Sequence, residues 1–152
     1  ILSKWITNDH QNNWYKNYIL MFQKEVADRI LANTNSKNYG RLSILSNWKL
    51  DVKKIFNINA SCFVPKPKVE STLLKFTPKK NYPKLKNSKN LEIITRIFFN
   101  QRRKKIKNPL KQLFKKPDII IEKFRLNIEL RPQNLSPETY YELAKEYESL
   151  RD

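Results

Sequence analysis

The chain has 152 residues, with 31 Lys plus Arg against 14 Asp plus Glu for a formal net charge of +17, and only one cysteine, one histidine and one glycine. Cys62 and His10 alone exclude a disulfide framework or a Cys/His zinc site within one chain, and a single Gly40 excludes a glycine-rich phosphate or dinucleotide loop. A field this positive attracts polyanions, and folded domains this basic most often meet nucleic acid, although a genome rich in Lys and Asn codons would write a similar surface.

In chain order, "ILSKWI" (1–6) sets Ile1, Leu2, Trp5 and Ile6 at helical spacing, and "NDHQNN" breaks that pattern. "WYKNYILMF" (14–22) predicts a buried strand, followed by a helix over 24–33 with Val26, Ile30 and Leu31 inward, which is one α/β unit. The loop 34–40 ends at Gly40, expected at positive φ. "RLSILSNW" then predicts a short helix and "KLDVKKIFNI" a strand. "VESTLLKFTP" (69–78) predicts a sheet-edge strand with Thr72, Leu74 and Phe76 alternating against Ser71, Leu73 and Lys75.

Residues 79–90, rich in lysine and containing Pro83, suit a solvated linker and a domain boundary. Everything after it reads as helix: "LEIITRIFFNQ", "IKNPLKQLF", "DIIIEKFRL" and "SPETYYELAKEYESL". In the last, Ser136 is the expected N-cap, Pro137 the first helical residue, and Tyr140, Leu143, Ala144, Tyr147 and Leu150 the buried stripe. Trp5, Trp14, Trp48, Phe98, Phe99 and Cys62 are expected in the core. The longest apolar run, "ILMF" at 19–22, is far short of the roughly 20 residues of a membrane span, and the start does not read as a secretory signal. The cytoplasm is the expected compartment.

The most unusual stretch is "FVPKPKVES" (63–71). Pro65 and Pro67 fix their own φ and restrict the residue before each, which predicts a stiff, extended, polyproline-like path that aims Phe63. An aromatic presented among Lys66 and Lys68 suits stacking on a nucleobase. The spacing is equally compatible with Phe63 plugging a core. "QRRKKIK" (101–107) sets Arg102, Arg103, Lys104, Lys105 and Lys107 at a helix end, where they suit phosphate or, alternatively, a solvated face beside a helix C-terminus. Lys24 and Arg29 on the first helix, and Tyr39 and Arg41 flanking Gly40, are further candidates for RNA contact, with core packing an equal rival for Tyr39.

"FVPKPKVES" resembles the F-x-P-x-P-K-V-x-S signature of the ribosomal RNA adenine dimethyltransferases. "MFQKEVADRI" (21–30), "YGRLS" (39–43), "FFNQRRKKIKNPLK" (98–111) and "LRPQNLSPETYYELA" (130–144) resemble later motifs of that family, in the same order. The resemblance implies an enzyme that uses S-adenosylmethionine, without a metal, to dimethylate two adjacent adenines of small-subunit ribosomal RNA. Its partners would be that RNA and the pre-ribosomal small subunit, and it would act as a monomer in ribosome biogenesis.

By the same resemblance, Phe63 stacks on the target base while Pro65 and Pro67 position the loop. The glycine-rich cofactor loop and the catalytic Asn-Leu-Pro-Tyr segment belong to an N-terminal half expected upstream of Ile1. The expected fold class is therefore α/β: the C-terminal portion of a Rossmann-like methyltransferase sheet over 1–78, a linker at 79–90, and a small all-helical RNA-binding domain over 91–152. The chain alone is expected to bind no cofactor and to be inactive. Two rivals stand beside this reading. One is an erythromycin-resistance type of 23S ribosomal RNA methyltransferase, against which "YGRLS" and "LRPQNLS" argue, and the other is a non-catalytic ribosome-assembly factor.

Overall fold

A computed structural model describes residues 16–151; Trp5, Trp14 and the "ILSKWI" helix lie outside them. The chain runs through strand β1 (Tyr18–Gln23), helix α1 (Lys24–Ile30), α2 (Arg41–Lys49), β2 (Leu50–Ile58), a 3-10 turn (Ala60–Cys62) and β3 (Ser71–Pro78). Helices α3 (Lys89–Asn100), α4 (Lys107–Leu113) and α5 (Pro117–Lys123), a second 3-10 turn (Pro132–Asn134) and α6 (Pro137–Ser149) follow.

The sheet has the order β1-β3-β2, and β3 is antiparallel to both neighbours. The expected edge strand is thus the central one, since β1 and β2 each find a register on it. Its period-2 pattern holds: Thr72, Leu74 and Phe76 are buried. Opposite them lie Phe22, Leu20 and Tyr18, and Tyr18 stacks on Phe76 at 5.0 Å between centroids. β1 is not the fully buried strand its apolar run suggested. Ile19 and Met21 point to the other face and are 55% and 51% exposed, because successive side chains of a strand alternate sides whatever their hydrophobicity.

A register shift between Lys54 and Phe56 places Val52 opposite Phe76 but Phe56 opposite Leu73. One extra residue moves every later side chain of β2 to the other face. Asn57 then lies opposite Thr72, accepting its hydroxyl at 3.0 Å.

α1 is shorter than expected, ending at Ile30 with Leu31 as its cap. Ala27 and Ile30 are buried, and Val26 and Leu31 pack half-buried against the core. Gly40 is not at positive φ: it is the extended N-cap of α2, and its N–H donates to Ser43 Oγ at 2.9 Å. Asn35 takes the left-handed turn position instead, at φ 71, which an Asn tolerates better than most residues.

One buried cluster runs from Ala27, Ile44 and Trp48 through Leu74 and Phe76 to Leu91, Phe98, Tyr140 and Leu143. The expected linker ends two residues early, because α3 already begins at Lys89; the segment 79–88 has irregular backbone, but it is fastened rather than free. Trp48 Nε1 donates to the Pro83 carbonyl at 2.8 Å, and Lys79 N donates to Lys49 O at 2.9 Å. At its far end the Glu148 carboxylate of α6 accepts from Lys86 N, Asn87 N and Asn90 Nδ2 at 3.0, 2.9 and 3.0 Å. Glu148→Gln turns one of these acceptors into a donor facing an N–H. Leaving that group unsatisfied costs about 1–2 kcal/mol, so thermal unfolding should shift down by about 2–8 °C.

α6 begins as expected, with Ser136 Oγ accepting from Thr139 N at 3.3 Å and Pro137 at the first position. Tyr140, Leu143, Ala144 and Tyr147 are buried, whereas Leu150 falls on the cap and is 62% exposed. Trp48 and Phe98 lie in the core as expected, and Phe99 is half-buried against Tyr39 and Tyr140.

Candidate nucleic-acid interface

The proline loop opens on a tight local structure. Asn59 Oδ1 accepts from Ser61 N and Ser61 Oγ at 3.0 and 3.1 Å, which caps the 3-10 turn, and Phe63 N closes it on Ala60 O at 3.3 Å. Phe63 follows as the turn's C-cap. It is half-buried, and it belongs neither to the core cluster nor to the hydrophobics packed on it. Cys62, expected in the core, is exposed because the turn that carries it stands outside the sheet's inner face.

Beyond Phe63 the path is not the straight polyproline run expected. The backbone bends at 63–65 and the Val64–Pro65 bond is cis, an isomer accessible to X–Pro bonds because their trans preference is small. Val64 is 99% exposed. Pro65, Lys66 and Lys68 are exposed, and Pro67 is half-buried. Lys24 N donates to Glu70 O at 2.9 Å, which ties the end of this loop to the start of α1.

A second feature is an open cleft of about 1050 Å³. Arg29 from α1, Lys37 from the loop before α2, Arg41 from the start of α2 and Arg102 from just beyond α3 line it, with Glu25 as the one carboxylate among the described residues. Arg29 bonds Glu25 at 2.5 Å across an exposed helix turn, a pair of small energetic weight. Arg29, Arg41 and Arg102, far apart in sequence, are therefore brought together. Lys24 is not part of the cleft; it pairs with Asp28 at 3.2 Å.

Tyr39 also borders the cleft, but its ring is 1% exposed and its hydroxyl donates to the Leu135 carbonyl at 3.0 Å. Of the two readings for Tyr39, the structure shows the core one. Tyr140 and Tyr141 behave alike, donating to Pro132 O at 2.7 Å and Ile44 O at 3.0 Å. Burial is the main cause that raises all three phenols well above their ordinary value, and the nearby Glu138 adds to it for Tyr39 and Tyr141. They are neutral hydrogen-bond donors rather than acid–base groups.

The basic run after α3 splits by role. Ile106 is fully buried and its N–H donates to Leu130 O, which pins the middle of the run to the protein. Arg103, Lys104 and Lys107 are exposed. Lys105 is exposed but pairs with Glu129, and Arg102 turns back onto backbone carbonyls.

The family model described as "Ribosomal RNA adenine dimethylase" matches residues 1–149. The chain belongs to the ribosomal RNA adenine dimethylase family. Among its relatives is the ribosomal RNA small subunit methyltransferase A of Pelagibacter ubique, 59% identical over 99% of the chain and 58% of the relative. The protein of the same name from a Wolbachia of Drosophila simulans is 41% identical over 97% of the chain and 53% of the relative. The chain therefore spans little more than half the length of these relatives.

A crystal structure of a dimethyladenosine transferase from Plasmodium falciparum matches with a TM-score of 0.81 at 30% identity, over 97% of this chain and 62% of that one. A 23S rRNA methyltransferase structure matches with a TM-score of 0.54 at 16% identity, a likeness of fold alone. The α/β fold with a Rossmann-like sheet followed by helices is thus the fold of this chain. Its cleft also contains Lys37 and Gln133, which sequence reading missed. "YGRLS" and "LRPQNLS" served there only as markers of the family. The structure places them side by side, and nothing in their local periodicity signals that contact.

Proposed function

We propose that this chain is the RNA-facing portion of a small-subunit ribosomal RNA adenine N6-dimethyltransferase that acts as a monomer on the pre-ribosomal small subunit in the cytoplasm. Residues 1–78 belong to the catalytic domain, 79–90 join it to the helices, and 91–152 form an RNA-binding unit. The observation that carries this reading is the convergence of Arg29, Lys37, Arg41 and Arg102 on one open cleft with, among the described residues, a single facing carboxylate, a shape and charge suited to an RNA backbone.

Phe63 supplies an aromatic face for the target adenine, and Pro65 and Pro67 hold the loop that carries it. Lys66, Lys68, Arg103, Lys104 and Lys107 extend the positive surface around cleft and loop. Lys24 and Lys105 add to it from within ion pairs.

The described residues do not fit the methyl donor, S-adenosylmethionine. Gly40 is the only glycine of the chain and stands extended at a helix start, and the cleft beside it is lined with cations that repel a sulfonium. On this reading the donor is held by the part of the relatives' length that this chain does not span, and the chain by itself is expected to carry no transferase activity.

The test is the salt dependence of RNA binding. Each phosphate contact adds about 0.7–0.9 to the slope of log affinity against log salt. Neutralising Arg29, Lys37 and Arg41 to Gln should flatten that slope by about 2–3. Neutralising Lys111, Lys115 and Lys116, which lie elsewhere on α4 and the turn after it, should change it far less. Equal losses from both sets would mean that binding is a diffuse effect of net charge and that the cleft has no special part in it.

A further inference from the structure

We infer that Arg102 is a positioning residue that sets the cleft's cationic loop in place, rather than one more phosphate ligand; this inference rests on the RNA-interface reading of the cleft. Arg102 Nη2 donates to the Lys37 carbonyl at 2.5 Å and reaches the Ser36 carbonyl at 3.5 Å, while Nε donates to Gln133 Oε1 at 3.2 Å. Two faces of one rigid guanidinium thus join the 33–39 loop to the 131–135 turn. Only arginine offers donors in two fixed directions at once, and a lysine ammonium on a flexible stem cannot reproduce both bonds.

The loop depends on such external support because it has little of its own. It consists of two turns, closed by Ser36 N on Asn33 O at 3.1 Å and by Tyr39 N on Ser36 O at 3.2 Å, with Asn35 left-handed inside the first. The opposite turn is firm. Tyr140 of α6 donates to Pro132 O at 2.7 Å, and Arg131 N donates to Asn134 Oδ1 at 3.0 Å.

Asn35 N donates to Gln133 O and Asn134 Nδ2 donates to Asn35 Oδ1, both at 2.9 Å, which completes the junction alongside the Tyr39–Leu135 bond. Lys37 and Arg41 stand on or directly after this loop and are exposed. Their place at the cleft follows from the junction, and Arg102 supplies its one charged side chain among the described residues.

The experiment compares Arg102→Lys and Gln133→Ala with the unchanged chain, using a hairpin RNA with two adjacent adenines in its loop. Arg102→Lys keeps the charge, so a simple phosphate ligand would keep its salt slope. A positioning residue predicts instead a slope flatter by about 1.4–1.8, the share of Lys37 and Arg41 at 0.7–0.9 each. Gln133→Ala, which changes no charge, should move the slope in the same direction.

Two further readouts belong to the same series. In the absence of RNA, amide hydrogen exchange over residues 34–39 should accelerate in both variants while that of α6 is unchanged, which also shows that the variants are folded. Adding Lys37→Gln and Arg41→Gln to Arg102→Lys should flatten the slope no further. Wild-type slope and wild-type exchange in Arg102→Lys would overturn the positioning role while leaving the interface reading intact. A wild-type slope in the Lys37→Gln, Arg41→Gln variant would remove the interface itself, and this inference with it.

Discussion

Unfolding stability is expected to fall by about 4 kcal/mol between pH 9 and pH 11 through three buried tyrosines alone. Tyr39, Tyr140 and Tyr141 each lie within the core and donate to a backbone carbonyl, and burial first of all raises each phenol above its ordinary value of 10. The folded state thus holds these protons more tightly than the unfolded state.

Stability from this source is complete below pH 10. It is lost as pH rises, because the unfolded chain ionises there and the folded one does not. At pH 11 each tyrosine contributes about 1.4 kcal/mol to the loss, one unit above the unfolded value. Urea unfolding across this range checks the expectation, with the triple Tyr→Phe variant as reference. Lysine deprotonation lowers the repulsion of the +17 chain equally in both proteins. The variant should therefore lose less stability over the interval, and an identical loss would locate the alkaline weakness elsewhere.

Those same tyrosines illustrate what can be read from the sequence and what cannot. The stripe on α6 and its Ser136–Pro137 start follow from local rules, because capping and a 3.6-residue period are decided within one helix. β3 was legible for the same reason at period 2. What was not legible depends on residues far apart in the chain. The Ile19 and Met21 face of β1 stays exposed because burial of a strand is set by what covers each side. The φ of Gly40 follows from its place as a helix start, and the positive φ fell to Asn35, which the 131–135 turn holds.

The cleft shows the same limit more sharply. Arg29, Arg41 and Arg102 are legible in the sequence only as candidates on three separate segments, yet their convergence depends on bonds such as that from Arg102 to the Lys37 carbonyl, 65 positions away. Tyr39 was open between two roles for the same reason: only the Leu135 carbonyl, 96 residues on, takes its hydroxyl inside.

Phe63 is where local chemistry and long-range placement both bear on function. In a polypeptide extended to the length of its relatives, Phe63→Ala should slow single-turnover adenine methylation by about tenfold to a hundredfold, the kinetic equivalent of the roughly 1–3 kcal/mol that stacking on one base supplies. Its melting temperature should hardly move. Truncating a fully buried Phe costs about 3–5 kcal/mol, but Phe63 is half-buried and outside the core cluster, on a turn that Asn59 caps without help from the ring. Phe63→Tyr and Phe63→Trp should keep much of the rate, since either ring offers a face to the base. Asn59→Ala provides the complementary case: the ring remains but its turn loses the side-chain acceptor, so methylation should slow with Phe63 still present. If Phe63→Ala instead melts early while its folded fraction methylates at the normal rate, the ring is a structural plug, and the target base must be held by other residues.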